Sequence, residues 1–455
     1  MENELENEME YEPEGEAQAR PAWVLRGGYV NEGLFCREFL EKHKLAVVDG
    51  AFFTIYGRVI DNAIRQDIYR EVSPYIHTNL ARKVDNLFNA LRMTNSYVEV
   101  DCSEDRIHVG NGVVHLDTGR FVQEKLYCRH RLPLWFSHET PLPERWLSFL
   151  DELLYPEDIL TLQQFMGYCL VPSTRAQKML LIIGEGGEGK SRIGTVMHAL
   201  LGKAMCTGSL AKVEQNPFAR ADLEHRLLMV DDDLKLEALA QTNHIKSIIS
   251  AELPMDLERK GVQSYQAKLY TRFMAFGNGS LQALHDRSYG FFRRQIILTT
   301  KPRPKDRVDD PFLTEKLVEE INGIFLWALV GLGYLREKNY MFHISQRAQE
   351  NLRLSMAQGN NILEFMESEG YIRNDLQASV STRSLYNIYR DWCDDNAMLP
   401  LSMKSFSSFL IQNQDKFKIE HSNSVAIGGG RYVRGFRGLR ILPRACVNSG
   451  WSKHA

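Results

Sequence analysis

Apolar positions along the chain fall into blocks of different period. Residues 1–22 are Glu-rich and carry no periodic apolar face, as a disordered tail does. From about Gly27 to Ser96 the pattern is mixed. Phe35–Lys44 has helical spacing, Ala46–Ile60 reads as two short strands around Tyr56-Gly57, and Ile64–Leu91 reads as helices. Arg106–Arg120 alternates like strands with a turn at Gly110-Asn111-Gly112. Leu147, Leu150, Leu153 and Leu154, then Ile159, Leu162, Phe165 and Met166, predict two amphipathic helices from Trp146 to Leu170, broken at Pro156.

Between Gln177 and Thr300 the apolar residues come in short unbroken runs instead. Met179–Ile183, Arg226–Val230 and Phe273–Phe276 predict buried strands, and Phe291–Leu298 leads into a fourth. Arg192–Leu201 predicts a helix closed by Gly202. Lys301–Pro311 is a polar, proline-bearing connection, after which helices are expected over Thr314–Glu337 and Ser345–Glu369. Past about Leu376 the pattern predicts helices Ser381–Asn396 and Ser402–Asn413, then two strands about Gly428-Gly429-Gly430. There is no internal repeat.

Composition narrows the class. At 455 residues and 44% hydrophobic, the chain is expected to form about three domains with cores of their own, which excludes a disordered or fibrous protein. The formal charge of −3 divides into −7 over residues 1–20, which hold eight Glu and one Arg, and +4 over the rest. From His421 onward there are five Arg, one Lys and no acid. The average hides an acidic head and a basic tail. Seven dispersed cysteines (Cys36, Cys102, Cys128, Cys169, Cys206, Cys393, Cys446) have no metal-ligand spacing and read as reduced thiols. The N-terminus lacks signal-peptide character, and the longest uncharged apolar run, Ile321–Leu335, is 15 residues, short for a membrane span. A soluble intracellular protein is expected.

The strongest chemical signal is Gly184, Glu185, Gly186, Gly187, Glu188, Gly189, Lys190 and Ser191, a full match to G-x-x-x-x-G-K-[ST] between a predicted strand and a predicted helix. Glycines let backbone N–H groups turn inward around phosphates, Lys190 reaches the β- and γ-phosphates of ATP, and the Ser191 hydroxyl holds Mg. The strand Arg226–Val230 runs into Asp231-Asp232-Asp233. Asp231 is placed to hold metal-bound water and Asp232 to polarise the attacking water. Asn278, closing another strand, is a candidate to orient that water, although Gly277-Asn278 is also ordinary turn chemistry. Arg293 and Arg294 enter the fourth strand, where a ring ATPase commonly carries an arginine for the neighbouring subunit's nucleotide; an exposed basic strand end is the alternative.

The C-terminal pattern of two helices and a glycine-linked strand pair reads as a winged helix. Arg431, Arg434, Arg437 and Arg440 recur every third residue, so on a strand they are expected to alternate between faces. With Lys404, a basic wing at Arg431 and Arg434 suits DNA; packing on a neighbouring subunit is the alternative.

This order of parts resembles superfamily 3 helicases, and within them the phage and plasmid primase-helicase branch that includes the poxvirus primase-helicase. Asn111-Gly112-Val113, Asp117-Thr118-Gly119, Leu132-Pro133 and Gln163 with Gly167-Tyr168 are similar to the domain that precedes the helicase core. Asp286–Arg294, Glu320–Leu335 and the stretch Leu385-Tyr386, Tyr389, Trp392-Cys393, Pro400-Leu401-Ser402 and Phe406 follow the branch's pattern, so the resemblance spans about residues 28–442.

What the resemblance implies is an α/β fold: an AAA+-like P-loop ATPase core, an α+β N-terminal domain and a C-terminal winged helix. Segments 1–22 (tail), 23–145, 146–345, 346–445 and 446–455 (tail) follow. It also implies a DNA-gripping hairpin in Asp256–Tyr265 with Lys260-Gly261 at its tip, where a charged surface loop is the alternative.

Departures are specific. Glu188 stands where the family usually has Asn, and a carboxylate so close to a triphosphate must point away or be neutralised. Relatives often carry Glu as the second acid of the metal strand, so Asp232 or Asp233 is the base, and the family's proline after Asn278 is absent. Only about 27 mostly acidic residues precede the family-like region, so no primase domain is expected in this chain.

The expected protein is an ATP-driven, hexameric DNA helicase of a phage, plasmid or other mobile element, cytoplasmic in a bacterial host. It would act on single-stranded and forked DNA, off the membrane, alongside a separate primase or initiator. Rival readings are an initiator or loader that does not unwind, and a winged-helix DNA-binding regulator with a decayed ATP site.

Overall fold

The computed structural model describes residues 20–442, except 95, 97, 235–241, 279–288, 305, 307–308, 360, 397, 399 and 427–431. The acidic head to residue 19, residues 286–288, the turn Gly428-Gly429-Gly430 with Arg431, and everything past Leu442 lie outside the described residues. The chain divides into two compact units, Met1–Arg131 and Leu132–Ala455.

In the first unit, helices Glu32–Lys42, Asp61–Val72 and Leu80–Met93 enclose a core that includes Phe35, Phe39, Phe52, Ile68, Leu87 and Phe88. The segment expected to hold two strands holds three, Ala46–Val48, Ala51–Thr54 and Gly57–Val59. The extra reversal comes from Asp49 and Gly50, whose φ values of 52° and 70° fold the chain back in two residues. Strands Arg106–Val109 and Gly112–His115 pair antiparallel as their alternation predicts.

The second unit is built on a parallel sheet of five strands. Its order across the sheet is Gln295–Thr299, Met179–Gly184, Arg272–Asn278, Leu228–Asp231, Met205–Thr207. In chain order this is 5-1-4-3-2. Parallel strands covered on both faces have no polar side, which is why their sequences are unbroken apolar runs. Met179 to Ile183 are all buried. Helix Ser191–Leu201 lies across the sheet: a Cβ on Gly194 would sit 3.1 Å from the Phe276 ring and 3.6 Å from Val230 Cγ1.

Helices Glu144–Leu153 and Pro156–Tyr168 flank the sheet, with Pro156 at the first helical position, where its missing N–H is harmless. The run expected to be one helix from Thr314 is two, Leu313–Glu319 and Ile321–Glu337, bent by 69°. Glu320 sits at the bend, and its carboxylate accepts the N–H groups of Arg145 and Trp146 at 3.2 and 3.1 Å. Helix Ile321–Glu337 meets Pro156–Tyr168 backbone to backbone. A Cβ on Gly331 would lie 2.4 Å from Gln163 O, and one on Gly167 would lie 2.3 Å from Ala328 O. Among the described residues no single helix is long and apolar enough to cross a membrane, and Ile324, Phe325, Ala328 and Leu332 of this one are buried.

The helix expected over Ser345–Glu369 is likewise two, Gln346–Gly359 and Asn361–Glu367. Helices Thr382–Asp395 and Met403–Gln412 appear as expected and join through stacked Tyr389 and Phe406 rings, 4.6 Å apart. They pack on an antiparallel sheet in which Tyr432–Ile441 runs between Ile372–Ser381 and Glu420–Ala426. Ile372–Ser381 gave no strand signal because its middle is polar and largely exposed, with Arg373, Asn374 and Gln377 facing solvent.

Candidate active site

Ligands of open parallel sheets sit at the carboxyl ends of the strands. Here the first strand delivers the chain into Glu185–Lys190, and Ser191 begins the following helix. Gly186, Gly187 and Gly189 adopt φ of 115°, 80° and 105°, a region that side chains with a Cβ avoid, so the tight curl of the loop depends on glycine. Glu185, Gly186, Gly187 and Ser191 are exposed, and Gly184 and Gly189 are half-buried.

Glu188 and Lys190 are buried inside this loop, with 3% and 5% of their surface exposed. Glu188 accepts from Lys190 Nζ at 2.7 Å through Oε2 and from the Gly186 N–H at 2.8 Å through Oε1. Burial alone would raise the Glu188 carboxyl, but the Lys190 bond and the backbone N–H groups outweigh it and hold the group below its ordinary value. The out-of-pattern carboxylate is therefore neutralised by the loop's own lysine. A Cβ on Gly184 would lie 2.3 Å from Thr300 Oγ1 and 2.9 Å from Lys190 Nζ, so only glycine leaves room for both.

Asn278 ends the adjacent strand in register with Gly184 and is exposed. Its Oδ1 lies 3.8 Å from where a Cβ on Gly186 would stand, which brings this amide to the loop. Asp231 ends the next strand over, paired with Ala275, so it lies about 10 Å lower along the sheet. It is buried, and Oδ2 accepts the Leu210 N–H at 2.8 Å. Burial raises the Asp231 carboxyl, and the Asp233 and Asp232 charges add to that. Asp232 and Asp233 are themselves exposed in the turn beyond.

The buried Asp231 carboxylate and the Ser191 hydroxyl are hard oxygen donors of the type Mg takes. No cluster of three His, Cys, Asp or Glu side chains suited to a metal occurs among the described residues. A Mg ion at Ser191 and Asp231 would therefore complete its shell with phosphate oxygens and water.

The paired arginines lie at the other end of the sheet. The Met179 N–H donates to Arg294 O at 2.8 Å, so Arg294 stands beside the start of the strand whose far end is Gly184, about 17 Å away. Arg294 donates to Gly290 O at 2.6 Å and to Ser250 Oγ at 3.4 Å, while Arg293 is exposed. Lys178 donates to Arg293 O at 2.5 Å. Burial, then Arg293 and Arg294, lower the Lys178 ammonium from its ordinary value. Neither arginine reaches the loop of its own chain.

Residues Met255–Arg259 and Val262–Ala267 form the expected hairpin, with Lys260-Gly261 as its turn and Gly261 at φ 73°. Glu224 holds the hairpin close to its turn by accepting from Arg259 at 2.6 Å and from the Tyr265 hydroxyl at 2.7 Å, while Lys260 is exposed. In the C-terminal region Lys404 is exposed in the first turn of its helix.

The arginines of the last strand do not alternate as expected. Arg434, Arg437 and Arg440 are all exposed, because Gly435 is buried within 2.1 Å (at its Cβ position) of Val380 O and Gly438, at φ 89°, resets the pleat. Arg437 pairs with Glu420 at 3.6 Å, Arg440 pairs with Asp375 at 2.7 Å, and Arg434 donates to Asn423. Arg431 lies outside the described residues.

Two neighbours of the loop were not singled out from the sequence. Arg303, in the segment taken as a polar connection, donates from Nη1 to Gly187 O at 3.3 Å and from Nη2 to Asp309 at 2.8 Å. Thr300 fills the space beside Gly184. The signal available was a basic residue between two prolines just past a buried strand. It becomes readable only once that strand is known to border the first.

Residues 36–154 match a family model described as D5 N terminal like, and residues 182–294 match one described as a family of unknown function (DUF5906). No curated protein matches the chain. A solved structure, the A form apo structure of the NrS-1 C-terminal region, shares 11% identity with a TM-score of 0.52, over 89% of this chain and 99% of that one. A further apo structure of that region has 10% identity and a TM-score of 0.48, over 90% and 99%. At such identity the first likeness speaks for the fold: this chain is an α/β protein with the fold of the NrS-1 C-terminal region and a D5 N terminal-like segment ahead of its parallel sheet.

Proposed function

We propose that this chain is a magnesium-dependent ATPase that assembles as a ring and moves along DNA, a helicase serving replication of a phage, plasmid or other mobile element in a bacterial cytoplasm. One observation carries the reading. The loop Gly184–Ser191 joins Asn278 at one end of the 5-1-4-3-2 sheet, with Asp231 ending the strand beyond, while Arg293 and Arg294 stand about 17 Å off at the other end. A site with its phosphate loop at the carboxyl ends of the strands and its arginine at the amino ends, on the neighbouring strand, would be completed by a second copy.

In this reading Lys190 and Ser191 hold the β- and γ-phosphates and the metal. Asp231 would help hold the metal, which would offset phosphate charge; Asp232 or Asp233 would take the proton from the attacking water, and Asn278 would orient it. Arg294 of the neighbouring subunit stabilises charge on the transferred phosphoryl group. The D5 N terminal-like segment supports the replication setting, with a separate primase or initiator as partner. Lys260, on its anchored hairpin, would grip single-stranded DNA in the channel, and Lys404 with Arg434 would meet duplex at a fork. ATP hydrolysis with Mg and single-stranded DNA tests the reading; no turnover by the purified protein overturns it.

The pairing of Glu188 with Lys190 favours a second reading, a winged-helix DNA-binding protein whose nucleotide site has decayed. Direct titration with ATP decides between them. Within the first reading, strand displacement on forked DNA separates a helicase from an initiator or loader, since Lys260→Ala cripples only a translocating motor.

A further inference from the structure

We propose that Arg303 is a phosphate-contacting residue of the same subunit, reaching over the loop Gly184–Ser191 to the terminal phosphate of the bound nucleotide. This rests on the nucleotide reading above and adds to it a contact that selects triphosphate over diphosphate.

The chain reaches this position on a fixed path. The Thr300 N–H donates to Ile183 O at 2.9 Å and the Lys301 N–H to Leu153 O at 2.8 Å, so the exit of the fifth strand is fastened beside the first strand, just below the loop. Arg303 then stands between Pro302 and Pro304. Each proline fixes its own φ, and Pro304 also holds Arg303 in an extended conformation, so little freedom remains to be lost when the side chain binds. The guanidinium lies over the loop, bonded to Gly187 O at 3.3 Å, and a Cβ on Gly187 would be 3.2 Å from Nη1. Asp309 holds Nη2 at 2.8 Å and so aims the group. These contacts use two of the five N–H donors of an arginine, and the side chain keeps 38% of its surface exposed.

Charge gives the contact its purpose. Within the loop the Lys190 ammonium is matched by Glu188 at 2.7 Å, so the loop alone offers a triphosphate little net positive charge. Arg192, the next cation along, is directed to Asp310 O at 3.5 Å. Arg303 is also paired, with Asp309, but that pair is open to solvent (side chains 38% and 54% exposed, against 5% and 4% for Lys190 and Glu188), so its guanidinium can turn free donors to a phosphate in a fork geometry that suits it. Each further phosphate of the nucleotide adds negative charge there, so the contact favours ATP over ADP.

The test is equilibrium binding of ATP and ADP, with Mg, to the full chain and to Arg303→Ala, Arg303→Lys and Asp309→Asn, with thermal melts to verify folding. Arg303→Ala is expected to weaken ATP about tenfold or more while ADP changes by less than about threefold, with Arg303→Lys between the two. Asp309→Asn is expected to shift ATP in the same direction by a smaller factor. At ATP concentrations that leave the Arg303→Ala site largely empty, mixed assemblies of Arg303→Ala with Lys190→Ala should show no more turnover than the Arg303→Ala chains they contain, because both residues serve the same subunit's site. Equal weakening of ATP and ADP, unchanged binding, or recovered turnover on mixing overturns this inference alone. A wild-type chain that binds neither nucleotide overturns the nucleotide reading and this contact with it.

Discussion

The two ends of the parallel sheet carry similar numbers of cations and treat them in opposite ways. At the loop end Lys190 is held by Glu188 and Arg303 by Asp309, each 2.7–2.8 Å away, so charge is matched inside the chain. At the far end Lys178 and Arg294 donate to neutral oxygens and Arg293 is exposed, although Glu252 lies within electrostatic reach of Arg294. Burial lowers the Lys178 and Arg294 cations, a standing cost that an incoming anion would relieve. In the proposed function the loop end would receive nucleotide from solvent, and the far end would meet the phosphates of a neighbouring subunit's site. A motor that alternates the two along a ring uses both.

The largest effects expected come from removing one cation at each end. Lys190→Ala should abolish ATP turnover in a chain that still folds, with a lowered melting temperature because Glu188 loses its buried partner, as measured by steady-state hydrolysis and a thermal melt. Arg294→Ala should lower turnover about a thousandfold while nucleotide binding survives, because its contribution is to the transition state of a neighbouring site. If Arg294→Ala instead prevents folding, its bonds to Gly290 and Ser250 are structural and the contrast between the ends collapses.

Asp231→Asn should also end turnover, yet leave the protein more stable by a few degrees in melting temperature at neutral pH. The direction follows from its raised carboxyl, which is led by burial. A folded-state pKa above the unfolded one means that this group supports folding below its unfolded value and that the support is lost as pH rises through the folded value. Asn keeps an acceptor for the Leu210 N–H without the buried charge, so the gain in melting temperature over wild type should grow with pH across that window. A gain that is flat with pH would show that Asp231 is not the source.

Smaller changes test the matching itself. Glu188→Gln should strengthen ATP binding several-fold, by releasing Lys190 from its internal carboxylate. In the C-terminal region Arg434→Ala should weaken duplex binding only about two- to threefold and reduce the salt slope by about one. Arg437 and Arg440 already face Glu420 and Asp375, so their removal should matter less.

How much of this was legible in the sequence depended on whether a feature is local. Met179 to Ile183 and the glycine loop are, because unbroken apolar character and left-handed glycines follow from neighbours in the chain. The break at Glu320 is not local, since its cause is the pair of N–H groups at Arg145 and Trp146, some 175 residues away. Strand Ile372–Ser381 hid behind a polar surface. Arg303 was hidden by its distance in sequence from Gly187, and only the order of strands across the sheet brings the two together.

The central claim, that each ATP site draws on two subunits, is tested most directly by mixing two inactive variants. In assemblies formed from equal amounts of Lys190→Ala and Arg294→Ala chains, roughly a quarter of the interfaces would pair an intact loop with an intact arginine. The account predicts that ATP turnover returns in the mixture although neither variant has it alone. A mixture as inactive as its components, with assembly verified, would contradict it.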